Sequence, residues 1–458
     1  MSAIPTARFD AALVQRYDRP GPRYTSYPTA DRFDASYDGN GYRQALARAE
    51  RPLSLYVHVP FCDTVCYYCA CNKVTTKDRG LADRYLDYLE REVALRRTQL
   101  PAGTTLRQLH LGGGTPTFLT DAQLDRLMDM LKASFPLEAD AECAIEIDPR
   151  RLGEQTLERL AGHGFNRMSL GVQDVDLDVQ VAINRVQPQA WVSSAMQRGR
   201  ALGFRSINLD LIYGLPRQNS RSMARTLETV IGWRPERIAL YSYAHLPERF
   251  MPQRRIANAD LPTPEGKLAL LEQAVNGLMD AGYVYIGMDH FALPHDSLAV
   301  ALKEGRLQRN FQGYASDADC NLIGLGVSAI GKAGEHYVQN HRELADYYAA
   351  LDHGYLPEAR GYVLEQDDAL RREVIQALLC QSELDFAAFD ARWGIDFQRY
   401  FALELAELKT LEMDGLLEVR PQGLHITPRG RFLARASAMV FDRYLREGRK
   451  AGTYSKVI

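Results

Sequence analysis

The amino-acid sequence predicts an α/β fold: a partial parallel (β/α)6 barrel with an N-terminal arm and a small helical, winged C-terminal domain. Three observations carry this expectation. Short apolar, β-branched runs alternate with longer stretches of helical period from Arg51 to about Gly287. Polar and glycine-rich residues cluster at the carboxyl ends of those runs, and beyond about Pro357 the pattern turns helical. The expected organisation is an arm over 1–50, a barrel over 51–356 and a C-terminal domain over 357–458.

Six strands are expected, at Leu53–Val59, Arg107–Leu111, Glu142–Ile147, Asn166–Val172, Ser206–Ile212 and Arg237–Tyr243, with a seventh at Tyr283–Gly287. Helices fill the gaps. After Gly80, the side chains of Leu81, Tyr85, Leu86, Leu89 and Val93 share one helical face and Arg84, Asp87, Glu90 and Arg91 the other, so this helix should lie outside the sheet. Thr120 and Gln123 have capping-box spacing ahead of Leu124, Leu127, Met128 and Leu131. In the arm, Gly21 to Ala30 holds two prolines and two tyrosines, which suits extended chain. The C-terminal part reads as helices at Asp368–Cys380, Phe386–Trp393 and Phe397–Met413, a hairpin around Leu417–Ile426, and a further helix.

Composition narrows the class of function. With 58 acidic and 55 basic residues the net charge is -3, which provides no field for nucleic acid or anionic lipid. No run approaches the roughly twenty apolar residues that a membrane span needs, and no basic start precedes an apolar leader, so a soluble cytoplasmic protein acting on a small molecule is expected. Seven cysteines are too sparse for a disulfide framework. Four of them, Cys62, Cys66, Cys69 and Cys71, fall within ten residues and point to a metal.

Cys62, Cys66 and Cys69 follow the first strand on one loop, with spacings of four and three residues. Three thiolates on a four-iron cluster leave one iron open, to which S-adenosylmethionine can bind through its amino and carboxylate groups. The alternative is a zinc knot completed by Cys71 or His58, although Cys71 lies only two residues after Cys69. Cys143, Cys320 and Cys380 lie in apolar surroundings and read as core.

Active sites of parallel barrels form at the carboxyl ends of the strands. There the sequence places the cysteine loop, Gly112-Gly113-Gly114-Thr115-Pro116, Glu146 with Asp148, Gln173 with Asp174, and Tyr243-Ala244-His245, while Asp210 interrupts the apolar fifth strand. All are expected to face one cavity. The glycines allow close backbone approach to a ligand, or make a plain strand-to-helix turn. Glu146 could take a ligand's ammonium and Arg185 a carboxylate, or either could be a solvated ion pair. Asp210 is costly in its apolar run unless it is paired or faces a polar site.

Taken together, Cys-x-x-x-Cys-x-x-Cys and Gly-Gly-Gly-Thr-Pro resemble the radical S-adenosylmethionine superfamily. The strings His58-Val-Pro-Phe-Cys62, Cys69-Ala-Cys71-Asn72-Lys73, Pro22-Arg-Tyr-Thr-Ser-Tyr-Pro28, Asn208 to Pro216, Gly287-Met-Asp-His-Phe291 and Arg309-Asn-Phe-Gln-Gly-Tyr314 narrow this. From end to end the chain resembles the oxygen-independent coproporphyrinogen III oxidases. The resemblance implies a monomer with a partial barrel of the radical S-adenosylmethionine type, an arm that closes over the active site, and oxidative decarboxylation of two propionates of coproporphyrinogen III to the vinyl groups of protoporphyrinogen IX. It implies a 4Fe-4S cluster on Cys62, Cys66 and Cys69 and two molecules of S-adenosylmethionine, one of which yields a 5′-deoxyadenosyl radical. The first would contact Tyr56, Gly113, Glu146 and Ile330; the second Tyr68, Gly114, Thr115, Gln173, Arg185, Asp210 and Ala244.

An electron donor such as a flavodoxin or ferredoxin is implied as partner. Arg23, Arg309 and Gln312 are candidates for the substrate's carboxylates, and Tyr24 and Tyr27 either stack on pyrroles or anchor the arm. Ala70 stands where the family generally has glycine, and Asn321 where an acidic residue is usual. The rival readings are a heme chaperone on the same fold and a zinc protein whose winged domain binds nucleic acid. The arm motif and Cys71-Asn-Lys favour the oxidase over the chaperone.

Overall fold

The computed structural model describes residues 7–49, 53–316 and 320–448. Its centre is a run of parallel strands: β1 (Leu53–Val59), β2 (Leu106–Gly113), β3 (Leu137–Ile147), β4 (Arg167–Gln173), β5 (Ser206–Tyr213) and β6 (Arg237–Ser242), paired in that order. All six expected strands form, three of them (β2, β3 and β5) longer than expected. Their core-facing residues are large and aliphatic; Leu55, Leu109, Ile145, Leu170, Leu209 and Ile238 are all buried against the outer helices.

The seventh expected strand is real but does not continue the barrel. β7 (Val284–Gly287) turns back through Met288, whose φ is +52°, into β8 (His290–Ala292), and β8 pairs antiparallel with β6. On the other side, four strands that the sequence did not announce extend the sheet: β9 (Leu322–Leu325), β10 (Ile330–Ala333), β11 (His336–Asn340) and β12 (Glu358–Val363). β9 runs parallel to β1, and the rest are antiparallel, giving the twelve-stranded order β12-β11-β10-β9-β1-β2-β3-β4-β5-β6-β8-β7. The helical reading from 357 onward is thereby corrected at its start, where Glu358–Val363 is the sheet's edge strand and pairs with β11.

The helix Gly80–Arg97 lies outside the sheet as expected, with Tyr85, Leu86, Leu89 and Val93 buried. Leu81, in the helix's first turn, is the exception and is exposed. The buried face also carries two charges. Glu92 accepts hydrogen bonds from the Gly326 amide (2.7 Å), Asn340 Nδ2 (2.7 Å) and the Tyr347 hydroxyl (2.7 Å), and Arg96 pairs with Glu358 at 2.9 Å. Every ligand of Glu92 lies on the strands and helix after residue 320, so this one carboxylate ties the added strands to the barrel's first helix. The capping box of Thr120 and Gln123 is present in both directions.

In the C-terminal part the helices Gln366–Gln376, Phe386–Trp393 and Ala402–Met413 form, and Leu417–Arg420 pairs with Gly423–Ile426 as the expected hairpin. Their apolar residues share one core with Ile286 and Tyr314 and with Tyr24 and Tyr27 of the arm. Residues 21–28 form neither helix nor strand, but they bend over 25–28 and Tyr24 has a left-handed φ of +47°, so the stretch is not simply extended as expected. The arm also carries helices at Ala11–Tyr17 and Asn40–Ala47. Among the described residues no helix is long and apolar enough to cross a membrane. Cys143 and Cys380 are buried as expected, whereas Cys320 is half-buried at the rim of a cavity.

Candidate active site

The cysteine loop leaves β1 at Pro60 and is closed on itself. Phe61–Cys62 pairs with Val74–Thr75, so that the Val74 amide reaches the Pro60 carbonyl and the Thr76 amide the Cys62 carbonyl. Asp63 anchors the loop from outside through Arg79 (3.0 Å) and Arg151 (3.0 Å), and the Tyr67 amide binds the Ile183 carbonyl. The triple glycine packs onto this loop. A Cβ on Gly114 would lie 2.6 Å from the Pro60 oxygen, and one on Gly113, where φ is +119°, 2.7 Å from the His58 ring. These glycines thus serve close packing of the loop as much as access for a ligand.

Above the strand ends lies a cavity of about 650 Å³. It brings together Cys62, Cys66, Cys69 and Cys71 with Tyr68, Gly113, Gly114, Thr115, Glu146, Gln173, Arg185, Asp210 and Ala244. Tyr56 and Ile330 sit elsewhere. Tyr56 stacks on His110 (5.7 Å) and bonds His58 Nδ1 (3.1 Å) in the barrel interior, and Ile330 packs in a small apolar cluster with Phe311 and Tyr337. Asp174 points away from the cavity, fully buried between Gln218 (2.7 Å) and Thr226 (2.8 Å), where it holds the turn together.

The cavity's electrostatics are built from opposed pairs. Asp148 accepts from Arg150 (2.7 Å) and Arg185 (3.3 Å); burial alone would raise its carboxyl, but the two guanidinia pull it down to about 2. Both arginines also reach Cys66 Sγ at 3.6 Å, and Cys62 Sγ lies 3.4 Å from the Thr115 hydroxyl. Glu146 accepts the Gly113 amide (3.1 Å) and faces His110 (3.5 Å); against the cost of burial, these keep it below its ordinary value and charged. Asp210 accepts from Ser169 (2.9 Å) and Asn208 (2.8 Å), yet burial and then the nearby Glu146 push it up to about 6.

Sequence reasoning missed Arg150 and Gln253. Gln253 donates to the backbone oxygens of Tyr68 (3.0 Å) and Ala244 (3.2 Å), clipping two cavity segments together. Neither residue stands in a recognisable pattern. Gln173 does carry a mark that only the backbone reveals, a left-handed φ of +67°, strained for a non-glycine residue.

The donor set fits an iron-sulfur cluster better than a zinc knot. The thiols of Cys62, Cys66, Cys69 and Cys71 open on the cavity, with two guanidinia at Cys66 that can offset thiolate charge. His58 is already engaged on both ring nitrogens, by the Tyr56 hydroxyl and the Asn72 carbonyl (3.0 Å). Among the described residues no three His, Cys, Asp or Glu side chains close around a single metal ion.

Comparison with known proteins agrees with this chemistry. The radical SAM superfamily model matches residues 56–230, and a model of the HemN C-terminal domain matches residues 364–433. The chain is 47% identical over 451 residues to the oxygen-independent coproporphyrinogen III oxidase of Escherichia coli strain K12, covering 98% of each protein. It is 50% identical over 447 residues to that of Pseudomonas aeruginosa strain PAO1, covering 96% of this chain and 97% of the other. The chain belongs to the oxygen-independent coproporphyrinogen III oxidase family. A solved structure of an Escherichia coli coproporphyrinogen III oxidase, described as a radical SAM enzyme, superimposes with a TM-score of 0.92 at 46% identity over 96% of this chain and 100% of that one. The family's cofactors are a 4Fe-4S cluster and S-adenosylmethionine, and its members are oxidoreductases of heme biosynthesis.

The two departures from the family pattern cost the chain little. Ala70 is not among the described residues with positive φ, so alanine is unstrained there. Asn321 uses Oδ1 to accept the Gly334 amide (3.2 Å), a bond that a carboxylate would make as well. Replacing Ala70 by glycine should therefore leave turnover within about twofold of the parent, checked by initial rates.

Proposed function

We propose that this chain converts coproporphyrinogen III to protoporphyrinogen IX by oxidative decarboxylation of two propionates without oxygen. The observation that carries the reading is the three-cysteine loop opening on a cavity of about 650 Å³ at the strand ends, in a family member that aligns with 98% of its Escherichia coli relative. Cys62, Cys66 and Cys69 would hold the cluster; when bound, the cluster and S-adenosylmethionine supply the radical chemistry that removes a hydrogen from the propionate.

The chain's own residues bind and orient. Arg150 and Arg185 lower the charge cost of three thiolates in one place. Glu146, fixed by the Gly113 amide, presents a carboxylate to the ammonium group of the first S-adenosylmethionine. By the family resemblance Tyr56, Gly113 and Ile330 would complete that contact set; of these three only Gly113 lines the cavity here. A second molecule would lie against Tyr68, Gly114, Thr115, Gln173, Arg185, Asp210 and Ala244, whose common opening on the cavity supports the assignment.

Asp210 gives this second site a pH dependence. Its carboxyl is neutral below about pH 6 and charged above it. The ligand is cationic at its sulfonium, so its affinity at this site should rise as pH passes upward through 6. Isothermal titration at pH 5 and pH 7 should show this step, and Asp210→Asn should abolish it; an unchanged step in the variant would contradict the role.

On the substrate side, Arg23 lines the cavity, pairs with Asp289 and lies over the Tyr241 ring (5.8 Å). Arg309 Nε donates to the Arg23 backbone oxygen (3.1 Å) and lines a second cavity of about 840 Å³. With Gln312, these residues would take propionate carboxylates. Tyr24 and Tyr27 are anchors instead, buried against Asp442 (2.9 Å) and the Arg443 amide (3.1 Å). Charge-swapping Arg23, Arg309 and Gln312 together should weaken coproporphyrinogen III binding while S-adenosylmethionine still binds; unchanged substrate affinity would refute the assignment.

The reading also takes the chain as a cytoplasmic monomer with three parts, 1–50, 51–356 and 357–458. It would receive electrons from a flavodoxin or ferredoxin and contact neither nucleic acid nor membrane, in keeping with its net charge of -3.

A further inference from the structure

His290 begins β8, next to the cavity, and has no established task. The turn at Met288 hands the chain back so that His290 lies opposite Ala239 of β6. Its ring meets Tyr241, which lines the cavity, edge-on at 6.1 Å and meets Tyr314 at 5.5 Å. Nδ1 is buried and has no hydrogen-bond partner among the described residues. The adjacent carboxylate, Asp289, is taken by Arg23.

The charged groups facing the ring are cations. Arg23 and Arg309 stand close enough that, after burial, they hold the imidazole far below its ordinary value and therefore neutral at any working pH. A neutral imidazole keeps one lone pair and one N–H. Arg309 Nη1 is likewise buried without a partner. Both side chains pack on the Tyr314 ring, His290 at 5.5 Å and Arg309 at 4.9 Å. With the imidazole proton on Nε2, an Nδ1 lone pair and a guanidinium N–H are left without partners among the described residues, which is costly unless a ligand completes them. The ligand must present an N–H donor near its centre and an anion near its rim. A porphyrinogen does so, with pyrrole N–H groups inside the macrocycle and propionates outside.

We propose that His290 is a specificity-determining residue that accepts a pyrrole N–H of the substrate while Arg309 and Arg23 hold its propionates. The inference rests on the porphyrinogen reading above. It places substrate recognition partly on β8, an antiparallel addition outside the six-stranded barrel.

The test compares the parent with His290→Phe and His290→Gln under anaerobic conditions, using two probes. Coproporphyrinogen III offers four pyrrole N–H groups, and its oxidised form, coproporphyrin III, offers two. The parent should prefer the porphyrinogen. In the phenylalanine variant KM for the porphyrinogen should rise roughly tenfold, and the preference over coproporphyrin should shrink towards one. Cluster iron and S-adenosylmethionine affinity should stay at parent levels. Glutamine, whose amide oxygen accepts, should restore part of the preference. An unchanged preference in the phenylalanine variant would overturn the proposal, as would equal losses in both variants accompanied by loss of cluster iron. Failure of the parent itself to convert coproporphyrinogen III would instead refute the function on which the proposal rests.

Discussion

Serine in place of Cys62, Cys66 or Cys69 is expected to reduce porphyrinogen conversion below detection and to strip the chain of cluster iron, read by iron analysis and visible absorbance after anaerobic reconstitution. The effect would be large because on the proposed assignment each thiolate is one of three protein ligands, and an alkoxide is a poor substitute for sulfur on iron. The fold should survive. The loop is held by Asp63 with Arg79 and Arg151, by the Phe61–Cys62 pairing with Val74–Thr75 and by the glycine packing beneath it, none of which uses a thiol. A variant that kept full iron and full turnover would remove that cysteine from the ligand set.

The largest expected effect on stability lies far from the cavity. Glu92→Ala removes the acceptor for the buried Gly326 amide and Tyr347 hydroxyl and one of the two acceptors for Asn340 Nδ2, which keeps only the Gly326 carbonyl (2.8 Å). It should cost about 3 kcal/mol or more, since each orphaned donor loses its bond without regaining water. Glu92→Gln keeps one acceptor oxygen and should cost roughly half as much. Denaturant unfolding of the reconstituted protein measures both. A loss below about 0.5 kcal/mol for alanine would mean that water or a shifted neighbour satisfies those donors.

The cysteine loop and Glu92 also mark where sequence reasoning worked and where it stopped. The cysteine loop was legible because its chemistry depends on local spacing, and the six barrel strands because each is a compact aliphatic run whose residues are buried. The strands β9 to β12 were not, because they are short and interrupted by Gly324, Gly331 and Gly361. Tertiary pairing, to β1 on one side and across the antiparallel edge, makes them strands. Glu92 and Arg96 read as ordinary polar positions on a helix because their partners lie more than two hundred residues onward.

In the site, most of the residues named from motifs line one cavity, with Tyr56, Ile330, Asp174 and His245 among the exceptions, and their reasons differ from expectation at several points. The glycines pack against His58 and Pro60, Asp174 braces a turn, and Tyr24 and Tyr27 pin the arm. Arg150 and Gln253 belong to the cavity through contacts that only folding creates. The charge at Asp210, by contrast, was legible as an anomaly. A carboxylate in an apolar strand called for a polar site, and it opens on the cavity with its carboxyl raised to about 6.

The most direct test of the central claim is a single anaerobic assay. The protein is reconstituted with iron and sulfide, then given reductant, S-adenosylmethionine and coproporphyrinogen III, and methionine release is followed together with porphyrin products. The account predicts methionine release coupled to vinyl-bearing product in the absence of oxygen. A reconstituted protein with no cluster and no cleavage of S-adenosylmethionine would contradict it outright, and cleavage without porphyrinogen conversion would contradict the assignment of the substrate.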